Sequence, residues 1–415
     1  MQTQSTPVLL RAATVATVIV ALLFALLASM GVQRRQRGLD DAGDAARRLI
    51  QVQEVRVAIV AADSIASTNY LRGGLELASA RQAFDDNIQR ASAGLAKAGE
   101  GLDDAAARPV AQANSDLSAY TGLIEQARAN NRQGFPVGAA YQRQANALLT
   151  SSALPALDQV EASLRDQVNQ RMATAGRSGV WFSVAALVLL AVLLGGLAWH
   201  ARRFKRLLNI PLAAATALVA VVGIYGLVGQ ASSISKANDA VRGPLQAADL
   251  AAQTRAALFD GRSQEALTLI NRGNGAAFEA NWQQAMATAD LAADQACRRS
   301  PLGCDLQGAL DPYRSAHQAM RTLDDQGDWD TAVAAALGAT NVDSTKIDST
   351  EIVGSFDAAD QQAQRAVESN VERATSALSD AAAPLGALRW LTLVAGLAVA
   401  VLAVIGFGQR SREYR

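Results

Sequence analysis

The chain has 415 residues with 38 basic and 38 acidic side chains, so its formal net charge is zero. A nucleic-acid partner calls for a concentrated basic face, which this balance argues against. Half of the residues are hydrophobic but only 5% are aromatic. The apolar residues cluster in long uncharged runs separated by polar, alanine-rich sequence, the composition of a membrane protein carrying polar helical domains.

In chain order, residues 1–11 precede the first run, Ala12 to Val32. A span needs about 20 residues to cross roughly 30 Å of hydrocarbon. Only Arg11 charges the region before the run, and no small-x-small cleavage pattern follows. The run is therefore expected to be an anchor, span one at 12–32, rather than a cleaved signal peptide. Segment 33–178 is polar, and its apolar residues recur at helical spacing, as in Leu49, Val52, Val55, Ile59 and Ile65. Glycine and proline cut it into about four helices. Turns are expected at Arg72-Gly73-Gly74, near Arg108-Pro109, and at Arg132-Gln133-Gly134-Phe135-Pro136.

The second run, Gly179 to His200, sets span two at 179–200. Loop 201–206 follows, with Arg202, Arg203, Lys205 and Arg206 and no acid, and then the third run, Leu207 to Gln230, span three at 207–230. Pro211 suits the start of that span. The basic loop is expected in the cytoplasm, where it is a candidate contact for a cytoplasmic partner. Arg34, Arg35 and Arg37 oppose this orientation, but they open a long segment, and long loops translocate largely regardless of charge.

Segment 231–386 repeats the helical pattern. Its turns are expected at Asn271-Arg272-Gly273-Asn274-Gly275, at the Cys297–Cys304 loop and at Gln326-Gly327-Asp328-Trp329, with an irregular break from Gly338 to Thr350. The two cysteines bracket a turn-forming stretch and are expected to form a disulfide outside the cytoplasm. The last run, Trp390 to Phe407, lies in span four, 387–408. The tail, 409–415, carries Arg410, Arg412 and Arg415 against Glu413 and is expected inside.

The two polar segments resemble each other. Ala83-Phe84-Asp85-Asp86-Asn87-Ile88-Gln89 aligns with Ala277-Phe278-Glu279-Ala280-Asn281-Trp282-Gln283, and Tyr120, Arg128, Gln133-Gly134 and Ala139 with Tyr313, Arg321, Gln326-Gly327 and Ala332. The expected fold is an all-α membrane protein. Four transmembrane helices would display two tandem extracytoplasmic up-down-up-down four-helix bundles that arose by internal duplication.

Catalytic patterns are missing: there is no nucleophile elbow, phosphate loop or His-Glu-x-x-His, and His200 and His317 are the two histidines. The expectation is a non-enzyme with no cofactor and no metal. The four runs themselves hold no Asp, Glu, Lys or Arg, which argues against coupled transport. Gly396 with Ala400, and Gly195-Gly196, are expected to let helices pack closely. The parts assigned to the cytoplasm are too short for an output domain, so an external signal would have to be read inside by another protein.

Bundles continuous with spanning helices resemble the extracytoplasmic sensor domains of bacterial chemoreceptors and histidine kinases. The stretch Asn69-Tyr70-Leu71-Arg72-Gly73-Gly74-Leu75-Glu76, followed by Arg81 and Phe84, makes the chain similar to the actinobacterial GlnX-type four-span membrane proteins. That resemblance implies a sensor of glutamate or aspartate. Its partners would be an extracytoplasmic solute-binding lipoprotein and a cytoplasmic serine/threonine kinase or adaptor. Apart from the resemblance, membrane lipid and a second copy of the chain are candidate partners, and no nucleic acid is expected. The candidate partner-binding residues are at the far turns: Asn69, Tyr70, Arg72, Glu76, Arg81, Arg132 and Phe135 in the first segment, Arg272 and Trp329 in the second. Two alternatives stand beside this relay: a receptor that binds a small molecule directly, which should gather arginines around a carboxylate, and a scaffolding membrane protein.

Overall fold

The computed structural model describes residues 6–74, 76–100, 104–134, 136–204, 209–339 and 349–412. All regular elements among them are helical. In chain order they are α1 (Thr6–Arg72), α2 (Ala78–Gly99), α3 (Asp104–Arg132), α4 (Val137–Leu148), α5 (Leu154–Phe204), α6 (Ile210–Ala240), α7 (Gln246–Ile270), α8 (Ala276–Arg299), α9 (Asp305–Asp325), α10 (Trp329–Ala336) and α11 (Ser349–Arg412). Single π-helical turns, Leu149–Ala153 and Val241–Leu245, join α4 to α5 and α6 to α7. Pro155 follows the first and Pro244 lies in the second. A proline lacks the N–H for a helical bond and its ring crowds the carbonyl four residues back, so a widened turn accommodates it.

The chain forms two compact units. The first gathers Met1–Asp44, Val168–Ala240 and Thr375–Arg415. It holds the four stretches apolar enough and long enough to cross a membrane, in α1, α5, α6 and α11. The chain is an all-α, multi-pass membrane protein. Leu22, Leu26, Leu187, Val221, Ile224, Val394 and Val401 are exposed along these stretches, the arrangement of lipid-facing side chains. Inside, Leu10, Leu212 and Phe407 cluster, and the rings of Phe24 and Phe182 lie 6.4 Å apart. Gly396 meets α1 so closely that an added Cβ would stand 2.5 Å from that of Ala25. The small-residue expectation thus holds at Gly396. In the pair Gly195-Gly196 it holds at Gly196, where an added Cβ would meet Leu212 at 3.4 Å and Phe407 at 3.6 Å, and not at Gly195, where it would find nothing within 4 Å among the described residues.

Arg35, which the charge rule left unexplained, is buried in this unit. Its guanidinium donates to the carbonyls of Ala175 (3.0 Å), Gly176 (2.9 Å) and Gln230 (2.7 Å) and so ties α1 to α5 and α6.

The second unit gathers Ala45–Gln167 and Val241–Ala374. Its first bundle consists of the end of α1, α2, α3, and α4 with the start of α5. Leu49, Val52, Val55 and Ile59 face its core with Leu95, Leu117, Ile124 and Leu157, as their spacing predicts. The turn after α1 uses Gly73 and Gly74, both at positive φ (67° and 62°), a conformation that glycine adopts without Cβ strain. One turn falls elsewhere than expected. α2 ends at Gly99, and Pro109 lies inside α3 rather than between helices. Five helical residues precede it, so it lies in the second turn and the helix forgoes one backbone bond there.

The second bundle consists of α7, α8, α9, and α10 with the start of α11. Its core gathers Leu258, Trp282, Leu310, Tyr313, Met320 and Phe356. Gly134 and Gly327 occupy the same turn in the two bundles and share positive φ (71° and 85°). The break expected from Gly338 to Thr350 begins at Gly338 (φ 65°) and α11 starts at Ser349; residues 340–348 lie outside the described ones.

Inside the second unit the two bundles meet along α1 and α7. Val57, Val60 and Ala256 form an apolar patch there. Around it the contacts are polar: Gln53 donates to Asp249 (2.7 Å), Ser67 meets Ser263 (3.1 Å), and Ser263 donates to Asp63 (2.5 Å).

Candidate functional site: a basic cavity at the turn end of the first bundle

The last turn of α1, the turn after it, the start of α2 and the end of α3 enclose a cavity of about 280 Å³. α1 contributes Asn69 and Tyr70, the turn contributes Glu76, α2 contributes Arg81, and α3 contributes Arg128, Asn131 and Arg132. Three guanidinium groups and one carboxylate therefore line one small space. These residues meet because α1 and α3 end, and α2 begins, at the same end of an antiparallel bundle.

The three arginines are used differently. Arg128 is nearly buried. It bonds Glu76 (2.9 Å) and Glu125 (2.7 Å), and its guanidinium lies 4.1 Å above the Phe84 ring. Arg81 is partly exposed and reaches Glu125 (2.9 Å), Asp85 (3.2 Å) and Glu76 (3.7 Å). Burial acts to lower its pKa, but Glu125 and Asp85 outweigh that and raise it, so it stays charged. Arg132 forms no ion pair or side-chain hydrogen bond among the described residues, while it lines the same cavity.

The walls are fixed by uncharged contacts. Asn131 donates to the carbonyl of Tyr70 (3.0 Å), and Asn69 to that of Ile65 (2.9 Å). Gln142, also in the lining, donates to Ser67 (2.9 Å). Tyr70 packs against the α4 backbone, where a Cβ on Gly138 would come within 2.8 Å of its hydroxyl. Chemically the cavity presents positive charge with one guanidinium uncommitted, a setting for a carboxylate.

Of the residues expected from sequence, Asn69, Tyr70, Glu76, Arg81 and Arg132 come together here. Arg72 is exposed at the end of α1 and does not line the cavity. Phe135 lies outside the described residues. Arg272 and Trp329 form a pair of their own in the second bundle. The guanidinium of Arg272 lies 3.4 Å above the indole, and Trp329 donates to the carbonyl of Leu269 (2.9 Å). Arg128, Asn131 and Gln142 were missed. The repeat pointed to Arg128, because it aligns with Arg321. That partner is committed to Glu279 (3.3 Å) and Asp325 (2.7 Å), so the second bundle uses the position for internal pairing.

Cys297 and Cys304 are bonded, with Cα atoms 4.2 Å apart, and close the connection between α8 and α9. In the basic loop Arg202 is exposed; the side chain of Arg203, and Lys205 and Arg206, lie outside the described residues. Among the described residues no three His, Cys, Asp or Glu side chains gather in a way that could hold a metal ion.

Residues 38–173 match the family model of the actinobacterial sensor domain. That span is the first bundle with its flanking helix, and it contains every residue of the cavity. No curated protein and no solved structure matches the chain. With the four apolar helices, the match supports a sensor role in signal transduction for a multi-pass membrane protein.

Proposed function

We propose that the protein relays the extracytoplasmic availability of glutamate or aspartate to a cytoplasmic serine/threonine kinase or adaptor. In this reading a ligand-loaded solute-binding lipoprotein docks at the turn end of the first bundle. The observation that carries the proposal is the convergence of Arg81, Arg128 and Arg132 on one cavity with Arg132 unpaired. Leu77 and Val137, which flank the two turns at this end, are exposed apolar side chains and suit a protein contact around that charge. No catalytic step is assigned to the chain.

The relay itself would be mechanical. α1 carries both a candidate span and the cavity's first wall within one 67-residue helix. Packed helices move against one another by about 1–2 Å in such switches. A partner shifts that equilibrium only if it binds one helix arrangement better than the other.

A second reading is favoured by the same cavity. A volume of about 280 Å³ with Arg132 left uncommitted in its lining suits one free dicarboxylic amino acid bound directly. Equilibrium dialysis of labelled glutamate against the purified full-length chain separates the two. Saturable binding without a partner supports the direct receptor. No binding to the chain alone, with retention of the glutamate-loaded lipoprotein on the immobilised chain, supports the relay.

A further inference from the structure

We propose that a second cavity in the same unit binds a small organic cation through a primary ammonium group, with Asp260 as its counter-ion. The cavity is larger, about 590 Å³, and lies between α5 of the first bundle and α7 and α8 of the second. It shares no residue with the basic cavity.

The sign of the ligand follows from how the lining charges are spent. Arg56 and Arg165 are its two basic residues. Arg56 bonds Asp158 and Glu161, and Arg165 bonds Glu161 (3.1 Å) and Asp249 (3.0 Å). Two guanidinium groups thus already serve three carboxylates, and neither is left for an anionic ligand.

Asp260 stands apart from that network. Its one side-chain partner among the described residues is the amide of Gln264, which donates to Oδ1 (3.1 Å). Among the described residues Oδ2 receives no hydrogen bond and no cation pairs with the carboxylate. The Nδ2 of Asn281 donates to Gln264 (3.4 Å), and its Oδ1 receives no hydrogen bond among the described residues. The cavity therefore has surplus acceptors and surplus negative charge. An ammonium group brings three donors and no acceptor. A metal ion fits less well, because no three candidate ligands gather among the described residues.

The ionisation of Asp260 agrees with this assignment. Burial raises its carboxyl to about 6, Gln264 acts to lower it, and Asp63 on α1 acts to raise it further. The other charged groups around the cavity are Arg56, Asp158, Glu161 and Arg165. A bound cation would be held when Asp260 is ionised and released when it is protonated.

The test is isothermal titration of the full-length chain in lipid nanodiscs with butane-1,4-diamine, with glutarate as the anionic control. Saturable diamine binding is expected at pH 7.5, at least about tenfold weaker at pH 5 and in Asp260→Asn, because a charge-assisted bond is lost. Should Asp260→Asn misfold, Asn281→Ala and the pH profile of the unaltered chain decide instead. No diamine binding at pH 7.5, equal binding of glutarate, or affinity indifferent to both pH and substitution would overturn the proposal.

Discussion

Arg128 on α3 bonds Glu76 in the α1–α2 turn at 2.9 Å, across 52 residues of sequence. That pair, with Phe84 under the guanidinium, holds the mouth of the basic cavity in shape and leaves Arg132, one turn further along α3, free to meet a ligand. Arg128→Ala should destabilise the first bundle by about 1–2 kcal/mol, since Glu76 loses its partner and the ring its cover. Arg132→Glu should change stability by less than about 0.5 kcal/mol, as exposed substitutions usually do. It should nevertheless abolish the response to external amino acids. Denaturation followed by circular dichroism, beside a signalling assay, measures both. Arg90→Glu, at mid-bundle on α2, is the control and should leave the response intact.

A buried histidine gives the second bundle a pH dependence. His317 lies between Glu265 (2.8 Å) and Glu279 (3.2 Å), stacked on Trp282 with ring centroids 3.5 Å apart. Burial acts to lower its pKa, but the bonds to the two glutamates outweigh that and raise it. Arg262 and Arg321 also bond these acids. A raised folded-state pKa contributes stability that is complete below the ordinary histidine value of about 6.5 and is lost as pH rises through the folded one. Hydrogen-exchange protection of α8 and α9, corrected for intrinsic rates, should therefore fall from pH 6 to pH 9. His317→Gln should flatten that fall.

The disulfide ties α8 to α9. Closing a loop this short is worth about 2 kcal/mol in the chain-entropy model. The Cys297→Ser, Cys304→Ser double variant should lose roughly that much local stability. Peptide mass spectrometry of non-reduced protein from native membranes should recover the linked pair. Two freely alkylated thiols there would mean a reducing compartment.

Orientation is tested separately. Phosphatase fused after residue 100 or residue 300 should be active, and after residue 204 or residue 415 inactive, because the short basic loop and tail favour the cytoplasm. Activity at residue 204 would invert the arrangement.

The helical architecture was legible because it rests on local signals. Uncharged runs, helical spacing and turn glycines such as Gly73, Gly134 and Gly327 act within a few residues. The cavity was half legible for the same reason: Asn69, Tyr70, Glu76 and Arg81 are neighbours in sequence, and Arg132 sits beside a turn signal. Arg128 and Gln142 were not, since their roles depend on which helix faces reach the same end. The polar seam was hidden altogether. Asp63 meets Ser263 across 200 residues, and no periodicity predicts a contact between two bundles. The π turns are marked only by Pro155 and Pro244, which in sequence read as ordinary helix punctuation. Arg35 shows the converse, a charge that looked like a topology signal and proved to bind helix carbonyls.

The central claim is that the turn end of the first bundle recognises the external signal, and a photo-crosslinking residue in place of Arg132 tests it most directly. In native membranes it should yield an adduct with an extracytoplasmic solute-binding lipoprotein that grows when glutamate or aspartate is supplied. If no such adduct forms, and Arg132→Glu membranes still respond normally to external amino acids, the site is elsewhere and the account is wrong.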